Sequence, residues 1–116
     1  MMGPKTTQLI AVLEQIGQLL DSDGEKHWRK WLASVRSQLI NSDYSGVEYL
    51  LDAYGGMGSF NDLVIGQVMV GGRLSWQTDA QEANDKLSAL RGEAYELAQY
   101  IKHHHELGVR KYGELK

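Results

Sequence analysis

Apolar residues recur at helical spacing along most of this 116-residue chain, and this periodicity is the feature that most constrains its fold. The first stripe runs through Leu9, Leu13 and Ile16, and comparable stripes follow further along the sequence. Capping boxes, in which Ser or Thr precedes Glu or Gln by three residues, are indicated by the pairs Ser22 and Glu25, Ser45 and Glu48, and Thr78 and Gln81. These signals predict helices at 6–20, 25–40, 45–54, 60–70 and 79–107.

The predicted fold is therefore all-α: a compact bundle of about five helices with a long C-terminal helix, forming a single domain over residues 1–116. A chain of this length can bury roughly two-thirds of its unfolded surface, which is enough for one core.

A run of small residues, Gly55-Gly56-Met57-Gly58-Ser59, interrupts the helical pattern in the middle of the chain. Each glycine inside a helix costs up to about 1 kcal/mol relative to alanine, so the run predicts a sharp connection between the third and fourth helices. We call it the glycine elbow. Ser59 followed by Asp62 resembles a further helix cap, which makes 60–70 the fourth helix. Four β-branched residues in that segment leave a strand as the alternative.

Composition argues against several classes of function. The sequence contains no cysteine, which removes disulfides, thiolate metal sites and cysteine nucleophiles. Its net charge of −3 argues against a nucleic-acid partner, because phosphate contacts call for a basic surface. No apolar run approaches the roughly 20 residues that span a bilayer, and the first residues lack the pattern of a signal peptide. We therefore expect a cytoplasmic protein that binds neither nucleic acid nor membrane.

The negative charge is concentrated in the middle of the chain. No Lys or Arg occurs between Arg36 and Arg73. Four carboxylates lie in that interval: Asp43, Glu48, Asp52 and Asp62. The residues before it carry five basic and four acidic groups, and the residues from Arg73 onward carry seven of each. The middle third, which also contains the glycine elbow, therefore holds the negative excess.

The glycine elbow admits three interpretations. Glycines before a helix could expose backbone N–H groups to an anion. The elbow lacks the lysine of a phosphate-binding loop, however, and the nearby carboxylates would repel phosphate, so a plain helix connection is the favoured interpretation. The third interpretation is that the glycines let another protein approach the backbone closely, which suits the acidic surroundings better than anion binding does.

The chain contains residue types found in catalytic and metal sites, but not in the arrangement that such sites need. Glu48, Asp52 and Asp62 could act as acid and base or hold Mg²⁺, yet a solvated face is the favoured interpretation. The run His103-His104-His105 cannot chelate one ion from a regular helix, because successive side chains point about 100° apart. We therefore expect no catalytic residue, no metal site and no cofactor. The pattern does not separate core from interface roles for the tryptophans, Trp28, Trp31 and Trp76.

The stretch Tyr54-Gly55-Gly56-Met57-Gly58-Ser59-Phe60-Asn61-Asp62-Leu63 resembles the signature of a family of small, uncharacterised bacterial proteins. In that family a leucine-rich helix ends in Ala-Tyr-Gly-Gly-Met-Gly-Ser, and Asn-Asp-Leu follows. The resemblance covers roughly residues 25–70 and does not include the last helix. The family is similar to the small cytosolic proteins encoded beside polymorphic toxins, which act as immunity proteins. The resemblance implies protein binding and no catalytic residues.

The predicted function is therefore that of an immunity protein that binds and neutralises a cognate toxin with a basic surface. The predicted contact residues are Glu48, Asp52, Gly56, Met57, Phe60, Asn61 and Asp62. Two alternatives stay open. One is a structural or regulatory helical module, which could form a homodimer through its last helix. The other is a metal-dependent or small-molecule enzyme at the carboxylates around the elbow.

Overall fold

The structure is a computed structural model, and it describes residues 3–55 and 59–104. Four α-helices and one small antiparallel hairpin make up this part of the chain. In chain order these are α1 (Pro4–Asp23), α2 (Lys26–Ile40), α3 (Ser45–Asp52), a 3₁₀ turn (Phe60–Asp62), β1 (Gln67–Val70), β2 (Arg73–Trp76) and α4 (Ala80–His104). The prediction of a compact, mostly helical fold is confirmed. The prediction of about five helices and no sheet is wrong.

The first two helices meet at Gly24, which ends α1 with a left-handed φ of 78°. Glu25 then caps α2, because its carboxylate accepts a hydrogen bond from the Trp28 N–H at 2.6 Å. The predicted cap at Ser22 is wrong, since α1 continues through Asp23 and the carboxylate of Glu25 caps the next helix directly.

The third helix begins at Ser45 as predicted, but a different side chain supports its start. The carboxylate of Asp43 accepts hydrogen bonds from the backbone N–H of Ser45 at 3.0 Å and from its hydroxyl at 2.7 Å. Tyr44 occupies the cap position, but its side chain does not cap the helix. Ser45 is therefore inside the helix instead of capping it, and the predicted capping box with Glu48 does not form.

The core lies between α1 and α4, which pack along each other, with α2 against α1 and α3 bridging α2 and α4. The apolar stripes seen in the sequence supply the fully buried side chains, among them Leu9, Leu13, Ile16, Leu20, Leu32, Leu39, Leu87 and Ile101. Phe60 is also fully buried, and half-buried Trp28 and Trp31 pack on its ring with centroids 5.3 and 5.0 Å away. Trp28 and Trp31 therefore belong to the edge of the core, whereas Trp76 is exposed. No helix in the described ranges is both long and apolar enough to cross a membrane.

The predicted fourth helix at 60–70 is wrong. Only Phe60–Asp62 form a helical turn, of the 3₁₀ type, and the chain then becomes extended. Gly66 adopts a φ of 88°, which lies outside the helical region, so a helix cannot continue through it. The backbone N–H and C=O of Ile65 pair with the side chain of Asn84 and are not used in a helix. The strand, which the sequence left as the alternative, is correct for the last four residues of the segment.

A tight turn at Gly71 and Gly72 joins the two strands. Both glycines have positive φ, 57° and 79°, which is the requirement of a type I′ turn. Val70 pairs with Arg73 on either side of the turn, and Gln67 pairs with Trp76 at the open end of the hairpin.

One side of this hairpin is apolar and faces solvent. Met69 pairs with Leu74, and Trp76 lies two residues further along β2, so the three side chains share a face. They are 67%, 62% and 57% exposed, respectively. We call Met69, Leu74 and Trp76 the hairpin face.

We expect Gly66→Ala to destabilise the protein much more than Gly71→Ala. Both substitutions place a side chain at positive φ, which costs roughly 1–2 kcal/mol. A Cβ at Gly66 would also lie 2.6 Å from the Cβ of Ala80, whereas a Cβ at Gly71 would meet no atom within 4 Å. Overpacking of this kind adds about 1–3 kcal/mol. Urea unfolding of the two variants measures the difference, and equal losses would show that the approach to Ala80 is unimportant.

Candidate functional site

A buried arginine attaches the segment after the glycine elbow to α4. Arg91 is only 8% exposed, and its Nη1 donates to the carbonyl oxygens of Phe60 at 2.8 Å and Leu63 at 2.7 Å. Its Nη2 donates to the Ser88 hydroxyl at 3.3 Å. The guanidinium carbon also lies 5.9 Å from the centroid of the Phe60 ring. Arg91 therefore supplies a donor to the Leu63 carbonyl and a second donor to the Phe60 carbonyl, which also accepts from the Leu63 N–H at 3.3 Å, and it holds the 3₁₀ turn in place.

Tyr54 makes the matching connection from the chain just beyond α3. Its hydroxyl donates to the backbone carbonyl of Arg91 at 2.8 Å, and its ring meets Phe60 edge to face with centroids 5.8 Å apart. Burial raises the pKa of Tyr54 above its usual range, so the hydroxyl stays protonated and remains a donor. Burial also lowers the pKa of Arg91, an effect that the negative charge of Asp62 opposes.

Two further side chains hold the extended stretch that leads to the hairpin. The Asn84 amide accepts from the Ile65 N–H at 2.8 Å and donates to the Ile65 carbonyl at 2.7 Å. The Asp23 carboxylate, at the end of α1, accepts from the Gly66 N–H at 2.7 Å. We call Asp23, Tyr54, Asn84 and Arg91 the clamp residues. Together they fix the backbone on both sides of the glycine elbow to α1 and α4.

The fixed elements present an acidic surface. Glu48 and Asp52 are exposed on the outer face of α3, four residues apart, and Asp62 is exposed at the end of the 3₁₀ turn. Tyr49 lies on the same helix, exposed, and its ring packs against Trp31 with centroids 5.8 Å apart. Three of the predicted contact residues are thus accessible, and two of them, Glu48 and Asp52, lie on the same helix as an exposed aromatic group.

The acidic surface continues onto α4, which packs against α3. Glu96 is exposed there, and the one basic residue between positions 87 and 101 is Arg91, whose guanidinium is buried. Since residues 37–72 contain no Lys or Arg, neither helix offers an exposed cation here. We use the term acidic surface for Glu48, Asp52, Asp62 and Glu96.

The predicted contact at Phe60 is wrong. Its side chain is fully buried, because it forms the centre of the aromatic cluster under Trp28 and Trp31, and it cannot meet a partner without unpacking the core. Gly56 and Met57 lie outside the described residues, as does the side chain of Asn61.

A charged residue within an apolar stripe is the signal that would have identified Arg91. It lies four residues after Leu87 and three before Ala94, both fully buried on the core face of α4. A charge at such a position is found in proteins only when hydrogen bonds compensate its burial. The sequence thus indicates that Arg91 is a buried, hydrogen-bonded residue, but it does not identify the carbonyls to which Arg91 donates.

Within residues 3–55 and 59–104, no three His, Asp or Glu side chains come together as a metal site would require. His103 and His104 are exposed in the last turn of α4, and the His104 ring stacks on Tyr100. The carboxylates of the acidic surface are all exposed.

The fold and surface define a small, mostly helical protein with one exposed acidic side. Residues 21–71 match the model of a family described as a domain of unknown function, DUF6966. The matched segment runs from the end of α1 through the hairpin turn, so it contains Glu48, Asp52 and Asp62 but not α4. Neither the curated proteins nor the solved structures contain a match to this chain.

We expect Arg91→Met to reduce the free energy of unfolding by about 2–3 kcal/mol, because the Leu63 carbonyl left without its partner costs about 1–3 kcal/mol and the Phe60 carbonyl loses one of its two hydrogen bonds. Arg91→Lys should reduce the free energy of unfolding by a smaller amount, because an ammonium retains the charge. It should still be destabilising, because an ammonium cannot reproduce the forked geometry of the guanidinium. Lys86→Met, an exposed change on the same helix, is the control and should stay within about 0.5 kcal/mol of the parent. If Arg91→Met proves as stable as Lys86→Met in urea unfolding, the clamp does not hold the turn.

Proposed function

We propose that this protein is a cytoplasmic immunity protein that binds a cognate protein toxin through the acidic surface and thereby blocks the toxin. The observation that carries the proposal is that surface itself. Four exposed carboxylates lie on α3, the 3₁₀ turn and α4, and no exposed cation interrupts them in the described part of the chain. A surface of one sign attracts a partner of the opposite sign and speeds its association. The partner is therefore a protein with a basic surface.

Aromatic groups beside the carboxylates favour a protein partner over a small ion. Tyr49 is exposed and rests on half-buried Trp31, so its ring is supported from below. Tyrosine and tryptophan are enriched among the residues that contribute most to protein–protein binding, and surrounding charges steer the approach. The combination of a supported aromatic and a rim of carboxylates is typical of such an interface.

The clamp residues favour tight binding because they order the surface in advance. Arg91 and Tyr54 join the chain on either side of the glycine elbow to α4 without help from a partner. A surface that is already ordered loses less conformational entropy on binding, so more of the contact energy appears as affinity.

Sequence similarity supports the toxin as the partner. The stretch from Tyr54 to Leu63 resembles the signature of small bacterial proteins that are similar to immunity proteins, and this stretch joins α3 to the segment held by Arg91. The family match at 21–71 covers the same part of the chain and adds no function of its own.

The first test is co-expression with the product of the adjacent reading frame, the partner that the proposal requires. We expect that product to arrest growth alone, this chain to restore growth, and the two purified proteins to form a complex. If the product is harmless, or if the two proteins do not bind, the proposal fails.

The second test uses the double substitution Glu48→Gln with Asp52→Asn. We expect the association rate with that toxin to fall by about 3- to 10-fold at low ionic strength, because two steering charges are removed. The difference should shrink at high ionic strength as salt screens the remaining charges. Glu82→Gln with Asp85→Asn is the matched control, since it makes the same charge change at exposed positions outside the acidic surface. Stopped-flow rates that fall equally for both pairs would contradict a role for α3.

The hairpin face favours a second candidate function, a homodimeric structural or regulatory module. In the described part of the chain β1 and β2 form a sheet of two strands only, and Met69, Leu74 and Trp76 are largely exposed. A two-stranded hairpin is marginal in water, and a second copy placed against it would extend the sheet and cover this face.

Light scattering distinguishes this second candidate. A homodimer through the hairpin face predicts a dimeric mass that Leu74→Lys converts to a monomer, whereas Tyr100→Lys, at an exposed aromatic on α4, leaves the dimer intact. A monomeric mass for the parent protein at high concentration would exclude it.

A further inference from the structure

A groove of about 510 Å³ lies between the C-terminal end of α3 and the middle of α4. It is lined by Leu51, Tyr54, Gly55, Gly92 and Tyr95. The two tyrosine rings pack at 53° with centroids 5.1 Å apart and form an aromatic wall. Because the Tyr54 hydroxyl is bonded to the Arg91 carbonyl, the orientation of this wall is fixed before any ligand enters.

Glycine at position 92 leaves the groove open, and the described contacts of the fold do not require a glycine there. Gly92 lies midway along α4, where glycine is among the poorest helix formers. It has no positive φ, and a Cβ added there would meet no atom within 4 Å. Alanine would therefore fit the isolated protein and favour the helix. The open space at Gly55, across the groove, is likewise unfilled by the described side chains.

The residues around the groove are acidic. Glu48 lies three residues before Leu51 and shares its side of α3, and Asp52 follows Leu51 directly. On α4, Glu96 follows Tyr95 and lies four residues after Gly92. These three carboxylates are exposed, and the nearest guanidinium, that of Arg91, is buried and donates to the 3₁₀ turn and Ser88. None of the three is a described lining residue, but Asp52 and Glu96 directly follow lining residues and Glu48 lies one helical turn from Leu51, so we call them the carboxylates at the mouth. An aromatic wall flanked by such carboxylates is complementary to a cation.

We propose that this groove receives an arginine side chain of the protein partner. The planar guanidinium stacks on aromatic faces and is less strongly hydrated than an ammonium, so it suits the tyrosine wall better than lysine does. It can also donate two parallel hydrogen bonds to one carboxylate at the mouth. This inference rests on the proposed function for the existence of a protein partner, and it adds the chemistry of the side chain that the partner inserts.

The groove can be tested without the toxin. The probe is the blocked peptide Gly-Gly-Arg-Gly-Gly, titrated into the ¹⁵N-labelled protein, with the Lys and Gln versions of the peptide as comparisons. We expect the amide signals of Gly55, Gly92 and Tyr95 to shift and saturate with the Arg peptide in roughly the millimolar range, as befits one side chain. The Lys peptide should bind several-fold more weakly, and the Gln peptide should leave these signals unchanged. Equal shifts with the Arg and Gln peptides would overturn the inference.

Substitutions at Gly92 test the same groove, and the measured stability of the alanine variant shows that a loss of binding does not come from misfolding. Gly92→Ala should raise the urea midpoint of unfolding and weaken the binding of the Arg peptide at least twofold. The loss of affinity then cannot come from a less stable protein. Gly92→Leu should abolish the shifts at Gly55 and Tyr95. Ala11→Leu adds the same side chain at an exposed position of α1 and should leave the titration as in the parent. Undiminished binding in Gly92→Leu would overturn the inference.

The toxin experiments and the peptide experiments fail independently. If the toxin binds and the α3 charge variants weaken it, but Gly92→Leu does not, the groove inference is wrong and the proposed function stands. If the Arg peptide binds in the groove of the parent and not in Gly92→Leu, but no toxin partner exists, the preference of the groove for an arginine side chain stands and the proposed function is wrong.

Discussion

The buried guanidinium of Arg91 is the interaction on which the rest of the structure depends. A charge taken out of water is costly unless hydrogen bonds replace its hydration, and the carbonyls of Phe60 and Leu63 supply two of them. The Leu63 carbonyl in turn needs a donor because the 3₁₀ turn ends after three residues, and the Phe60 carbonyl accepts from Arg91 in addition to the Leu63 N–H. Helix α4 therefore supplies hydrogen-bond donors to the turn, and the turn supplies acceptors to the buried guanidinium. Tyr54 closes the arrangement by donating to the backbone of the same residue, so α3, the turn and α4 form one unit.

This unit brings together charges that are far apart along the chain. Glu48 and Asp52 belong to a segment with no basic residue, whereas Glu96 belongs to a segment where acids and bases are equal in number. The balance on α4 is lost at the surface, because burial removes the charge of Arg91 from it. The acidic surface is therefore larger than the sequence alone indicates, and the structural role of Arg91 explains why.

The sequence predicted the elements whose pattern is local, and the errors arose where distant contacts decide. The long apolar stripes of α1, α2 and α4 are sufficient to predict those helices, whereas the resemblance of Ser59 and Asp62 to a cap predicts a helix at 60–70 that does not form. Gly71-Gly72 preceded by the β-branched Val68 and Val70 is a hairpin signal, and here it outweighs the apparent cap. The pairing of Ile65 with Asn84 could not be predicted, because it joins residues 19 apart through a side chain. The burial of Phe60, one of the predicted contact residues, also depends on residues distant in the sequence, because only the packed structure shows that Trp28 and Trp31 cover it.

Hydrogen exchange of the protein alone and in complex with the toxin is the decisive measurement of where the partner binds, because it maps the contact surface amide by amide. Binding at the acidic surface would slow exchange in α3 and in α4 between Ser88 and Gln99 and leave exchange in β1 and β2 unchanged. Protection confined to the hairpin, with α3 and the middle of α4 exchanging as in the free protein, would show that the acidic surface is not the binding site.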